Sequence, residues 1–169
     1  MSVRHRGREL AFQILFQCDQ TEDKVNAVVA RFQELRRANA DAAAMAEDLG
    51  VGAFQAQAQI DKLIRSAAEH WKLERLLSVD RAVLRLAVFE LEQRGETPME
   101  VVLDEAIELA KKFGSDDSPA FVNGVLDRLA RQLRPDEKPK RAAKPRSHPI
   151  PKAKAKIKGR PKASAQAKP

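Results

Sequence analysis

The 169-residue sequence predicts an all-α protein. Proline is absent between Met1 and Thr97, so nothing punctuates the first half of the chain. No alternation of apolar and polar residues persists long enough to make a strand. Apolar residues instead recur at three- and four-residue spacing in six stretches. These fall into two sets of three, which predicts two packed three-helix bundles followed by a disordered basic C-terminal tail.

The first helix is expected over residues 6–19, with Leu10, Ala11, Ile14, Leu15 and Cys18 on its buried side. The second is expected near 25–37, where Val25, Val28, Val29, Phe32 and Leu35 share a stripe. Asn39 and Asp41 offer caps to a long alanine-rich third helix over 41–69. Gly50 and Gly52 are expected to bend it, and Ile60, Leu63, Ile64 and Ala67 form its later stripe. Trp71-Lys72-Leu73 begins the connection between the halves. Ser78 is placed to cap the fourth helix, whose Val79, Val83, Leu86, Ala87 and Leu91 align. Thr97-Pro98-Met99-Glu100 has the spacing of a capping box and starts the fifth. Lys111 and Lys112 suit that helix's carbonyl end, and Gly114 is expected to be the left-handed residue that closes it. Ser118 and Pro119 fit the start of the sixth helix, 119–133, along which Val122, Val125, Leu126, Leu129 and Leu133 line up. Gly124 lies inside that helix at a cost of roughly 1 kcal/mol relative to alanine, which predicts a close backbone approach there. Pro135 stops it.

The expected organisation is therefore an N-terminal bundle over 1–70, a C-terminal bundle over 71–134 and a Lys/Pro/Ala-rich tail over 135–169. The tail holds 12 Lys+Arg and two acidic residues, and the rest of the chain holds 19 basic and 22 acidic. The overall charge of +7 is thus no argument that the folded part binds nucleic acid; local clusters must carry that argument. The single cysteine, Cys18, excludes an internal disulfide and any cysteine-based metal cage. No run approaches the roughly 20 apolar residues of a membrane helix, and the N-terminus lacks a signal core, so a cytoplasmic protein is expected. His5, His70 and His148 are far apart in sequence and no glycine-rich phosphate loop is present. Neither an enzyme nor a bound cofactor or metal is expected.

Arg4, His5, Arg6 and Arg8 form a basic cluster at the first helix. On a helix Arg4 and Arg8 share a face and Arg6 points elsewhere, whereas a frayed arm presents all of them to one RNA backbone. The guanidinium fork makes two hydrogen bonds to a phosphate and its plane stacks on bases. The competing reading is a solvated helix start. Phe16 is either a platform for base stacking or a core residue one turn from Phe12, which is assigned to the core. Phe113 and Phe121 flank a turn containing Asp116 and Asp117. The rings either pack the bundle or help hold RNA, and Asp117 either favours the helix start or accepts from base and sugar donors.

Residues 111–127, KKFGSDDSPAFVNGVLD, closely resemble the C-terminal signature of the NusB family of bacterial antitermination factors. SVDRAVLRLAVFEL (78–91) and TPMEVVLDEAIELAKKFG (97–114) resemble the two preceding helices of that family, and RHRGRELAFQILFQCD (4–19) its arginine-rich opening. The resemblance covers about the first four-fifths of the chain. His5 and Gly7 dilute the arginine run, Phe16 stands where the family usually has tyrosine, and Asp104 where it commonly has asparagine. What the resemblance implies is a factor that binds boxA RNA as a heterodimer with NusE, a small-subunit ribosomal protein. Such a complex joins RNA polymerase with other Nus factors and suppresses premature termination, chiefly on ribosomal RNA operons. The implied RNA surface comprises Arg4, His5, Arg6, Arg8, Phe16, Phe113, Asp117 and Phe121. The implied NusE surface is Val79, Asp80 and Val83, an acidic residue with exposed valines suited to a basic partner. A homodimer of the free protein would hide the arginine face. Two alternatives stand beside this reading. One is an accessory domain of the kind found at the front of some ribosomal RNA methyltransferases, against which counts the expectation that only a tail follows Leu133. The other is a helical protein-interaction module whose RNA binding is tail-driven, sequence-indifferent and steeply salt-dependent.

Overall fold

A computed structural model describes residues 2–21, 23–68 and 73–137. Trp71, Lys72 and His70, and the expected tail from Lys138 onward with His148, lie outside the described residues. The chain is all-α: α1 (Val3–Thr21), α2 (Val25–Arg31), α3 (Gln33–Arg37), α4 (Ala40–Gln55), α5 (Gln57–Ala67), a 3-10 turn (Leu73–Arg75), α6 (Ser78–Gln93), α7 (Met99–Phe113) and α8 (Ser118–Leu133).

The first helix starts earlier than its apolar stripe suggests. The Ser2 hydroxyl accepts the His5 N–H at 3.1 Å and its carbonyl accepts the Arg6 N–H at 3.0 Å, so the basic cluster is helical and not a frayed arm. The expected second helix divides at Phe32, whose extended backbone (φ −73°, ψ 99°) separates α2 from α3 while Phe32 and Leu35 both remain buried. The expected third helix divides at Ala56 (φ −85°, ψ 4°), not at its glycines. Gly50 and Gly52 serve packing instead. A Cβ on Gly50 would lie 3.3 Å from Ile14 of α1, and one on Gly52 would lie 2.3 Å from the Phe89 ring of α6. Gly7 does the same for Met45 at 2.9 Å, so α1 and α4 pack closely along their length.

α6 is the central helix and touches α1, α4, α5, α7 and α8. Leu77, not Ser78, holds its N-cap position, and Ser78 is its first helical residue. Leu10, Ile14, Leu49, Ile60, Ile64, Leu84, Leu109, Leu126 and Leu129 are fully buried in one apolar cluster that runs through both halves of the chain. Each such side chain contributes roughly 1.5–3 kcal/mol on burial.

The expected capping box at α7 does not form; Pro98 holds the N-cap position without a side-chain bond. The Met99 N–H instead donates to Glu137 Oε1 at 2.6 Å. Arg134 donates to the carbonyls of Leu91 (2.8 Å), Thr97 (2.7 Å), Arg94 (2.9 Å) and Glu90 (3.1 Å). One guanidinium thus ties the last turn of α6 to the loop that leads into α7. Glu137 bonds both the start of α7 and, at 3.1 Å, Arg134.

Gly114 has extended backbone (φ −92°, ψ −169°), not the left-handed conformation expected of it. Crowding explains the glycine: a Cβ there would lie 2.5 Å from Ser118 Oγ and 2.6 Å from the Ala110 carbonyl. Ser118 is the first residue of α8, and its buried hydroxyl accepts the Ser115 N–H at 3.0 Å and does not cap the helix. Gly124 is exposed, and a Cβ there would meet nothing within 4 Å, so the expected close approach is absent among the described residues.

Candidate nucleic-acid interface

The first turns of α1 lie against the last turns of α7, and ionic contacts join them. Arg4 is exposed at the helix start. His5 Nδ1 lies 2.8 Å from Glu105 Oε2 on α7. Arg6 donates to Glu9 Oε1 at 2.8 Å, and Lys112 of α7 donates to Glu9 Oε2 at 2.7 Å. Glu9 itself is buried, with a side chain 4% exposed. Lys112 also stands 5.3 Å from the centroid of the Phe113 ring, at cation–π distance. Phe113 stacks on Phe12 at 4.8 Å, and Phe12 lies 6.0 Å from Phe16. Three rings thus run in series from Phe113 through Phe12 to Phe16, with Lys112 over the first. Phe12 is sealed in the core, as expected, while Phe16 and Phe113 are half-buried. Phe121 is half-buried and packs on the same core, and Asp117 is exposed at the start of α8.

Arg8 does not belong to this exposed set. It is 3% exposed and donates to Glu90 of α6 through both Nε, at 2.9 Å, and Nη2. Arg4 and Arg8 do share a helix face, but at the level of Arg8 that face meets α6. Of the four basic residues, Arg4 is exposed, His5 and Arg6 are half-buried, and Arg8 is buried.

The expected partner surface also changes. Val79 is half-exposed, but Val83 is fully buried and Asp80 is 5% exposed. Val83 falls on the inward stripe of α6, so it is not an exposed docking valine. Burial pushes the Asp80 carboxyl above the usual carboxylate range against a hydrogen bond from Ser118, and Asp80 Oδ1 has no hydrogen-bond partner. Leu77, 53% exposed, is an apolar surface residue next to Val79 that the helical stripe did not reveal.

A second ionic group lies behind this helix. Arg85 donates to both Asp61 oxygens at 2.8 and 2.9 Å and to Asp19 at 3.1 Å, and Arg81 reaches Asp19 at 2.5 Å. Burial works to raise the Asp19 carboxyl, but the hydrogen bond from Arg81 and the charges of Arg81 and Arg85 outweigh it and hold the group below its ordinary range.

Sequence reasoning missed Glu9, Glu105 and Lys112 as members of the α1–α7 group. Glu9 left a signal, standing three residues after Arg6 and four after His5. Its bond to Lys112 spans 103 residues and left none. Among the described residues, no group of His, Cys, Asp and Glu side chains could hold a metal ion, and no helix is long and apolar enough to cross a membrane.

The model of the NusB family matches residues 5–131. The transcription antitermination protein NusB of Sorangium cellulosum (strain So ce56) is 46% identical over 133 residues, covering 79% of this chain and 95% of that protein. The structure of T. maritima NusB superposes with a TM-score of 0.70 at 38% identity, covering 76% of this chain and 91% of that one. A chain in the crystal structure of antitermination factors NusB and NusE in complex with dsRNA superposes with a TM-score of 0.71 at 28% identity, covering 78% and 98%. The match runs from the basic start of α1 into the last turns of α8, and the chain belongs to the NusB family.

Proposed function

We propose that this chain is a transcription antitermination factor that binds boxA-type RNA together with NusE and, with RNA polymerase and other Nus factors, suppresses premature termination on ribosomal RNA operons. The observation that carries this reading is the pair of accessible cations, Arg6 and Lys112, that Glu9 holds beside the half-buried Phe113 where α1 meets α7. Single-stranded RNA asks for that combination, because phosphates need cations and unstacked bases need flat apolar faces. A relative solved with NusE and dsRNA supports NusE and RNA as partners. In this reading Arg4, His5 and Arg6 capture phosphates, Phe16, Phe113 and Phe121 line the RNA face, and Asp117 accepts from a base or sugar donor. Val79 and the neighbouring Leu77 are what α6 offers NusE, while Asp80 and Val83 support them from behind. The halves 1–70 and 71–134 then share the RNA face: the first supplies Arg4, His5, Arg6 and Phe16, and the second supplies Phe113, Asp117 and Phe121 together with the partner surface. The factor acts by binding, without catalysis, in the cytoplasm.

The test is binding of the full chain, and of a chain ending at Glu137, to boxA RNA and a scrambled control at matched salt. Each is measured with and without NusE. The expected result is a preference for boxA that NusE strengthens and truncation leaves in place. Equal binding to both RNAs that collapses on truncation would instead assign RNA affinity to the basic residues after Glu137, which hold 12 Lys+Arg and no acidic residue.

A further inference from the structure

We infer that Lys112 is a phosphate contact of the RNA face, and that Glu9 is the buried positioning residue that holds Lys112 and Arg6 beside the Phe113 ring. The inference rests on the RNA reading above and adds residues to it.

Both Glu9 oxygens are in use, one for Arg6 and the other for Lys112. The two cations remain accessible: their side chains are 34% and 47% exposed, against 4% for Glu9. An ammonium has three donors and a guanidinium five, so each keeps donors free after satisfying Glu9. The carboxylate is thus hidden and the cations face outward, fixed from below. His5 joins the group, with Nε2 3.9 Å from Glu9 and Nδ1 bonded to Glu105.

The neighbouring lysine shows that the position of Lys112 is not a general property of a helix end. Lys111 bonds Glu108 one turn back on its own helix at 2.6 Å, which is an ordinary surface pair. Lys112 crosses to another helix and stands over an aromatic ring. Its ammonium is 5.3 Å from the Phe113 centroid, so the ring and Glu9 together fix where the charge stands.

The experiment measures the affinity of the full chain for boxA RNA over a range of salt. Each phosphate contact contributes about 0.7 to the slope of log K against log salt for single strands. Lys112→Ala is expected to weaken binding about tenfold at low salt and to reduce the slope by about 0.7, and Lys112→Arg to restore both. Glu9→Gln gives a test by sign. Removing an acid near a polyanion tightens binding if only the field matters. If Glu9 positions the cations, Glu9→Gln weakens binding despite the added positive charge, and does so less in a Lys112→Ala background. Unchanged affinity and slope in Lys112→Ala would overturn the inference, as would tighter binding by Glu9→Gln. Should Glu9→Gln fail to fold, the exposed Lys112 variants decide alone. The wild type's preference for boxA over scrambled RNA tests the underlying reading separately.

Discussion

Arg6 and Arg8 stand two residues apart on α1, and each pairs with a glutamate. Arg6 meets Glu9 one turn along its own helix, at the surface. Arg8 meets Glu90 on the central helix, with both side chains 3% exposed or less. The exposed arginine keeps donors free for a ligand. The buried one has left water, and only a well-formed pair offsets the cost of that. The basic opening of the chain therefore mixes kinds of residue: Arg4 and Arg6 stay accessible, His5 reaches across to Glu105 of α7, and Arg8 pins α1 to α6.

The sharpest way to break this contrast is to remove each arginine. Arg8→Ala leaves Glu90 buried and unpaired and is expected to cost about 3–5 kcal/mol in urea unfolding. Replacing both members, Arg8→Met with Glu90→Leu, is expected to recover most of that loss. If Arg8→Ala unfolds like the wild type, the pair is not structural.

The two glycines of the signature sharpen the same contrast between sealed and open positions. Gly114→Ala forces a Cβ against Ser118 and the Ala110 carbonyl and is expected to cost about 1–3 kcal/mol. Gly124→Ala meets nothing and is expected to add about 1 kcal/mol of stability through helix propensity. Thermal or urea unfolding of the two variants should therefore move in opposite directions.

Asp19 and Asp80 extend the comparison to pH. Asp19 titrates below its ordinary range in the fold, so its contribution is full above that range and is lost as pH falls through the lowered value. Asp80 titrates above its ordinary range, so it burdens the fold at neutral pH, and the burden is relieved as pH falls through the raised value. Between pH 7 and pH 3, Asp19→Asn should flatten the acid loss of stability. Asp80→Asn should raise stability at pH 7 and steepen that loss. The smallest effect belongs to Arg6→Ala, expected to shift unfolding by no more than about 1 kcal/mol while weakening RNA binding.

Local periodicity made the helices legible, because an amphipathic stripe is written in consecutive residues. The breaks at Phe32 and Ala56 were not legible, since neither position carries a proline or a glycine. Gly50, Gly52 and Gly114 were noticed for the right residue type and given the wrong reason: their neighbours, Ile14, Phe89 and Ser118, come from other helices or across a turn. The start of α7 looked complete in Thr97–Glu100, yet its N–H is satisfied from 38 residues away. At the candidate site the cations and rings were visible as residue types. Whether a given arginine faces water depended on what lay opposite it, and for Arg8 that was a glutamate 82 residues along the chain.

Arg134 and Glu137 carry a consequence for the order in which the protein is made. Their partners at the end of α6 and the start of α7 lie 37 to 44 residues earlier in the chain. A ribosome releases that corner first, before the guanidinium and carboxylate that fasten it exist. The corner closes only when residue 137 clears the exit. Synthesis thus places the locking residues last, so a chain stalled before them holds its helices with their ends unfastened.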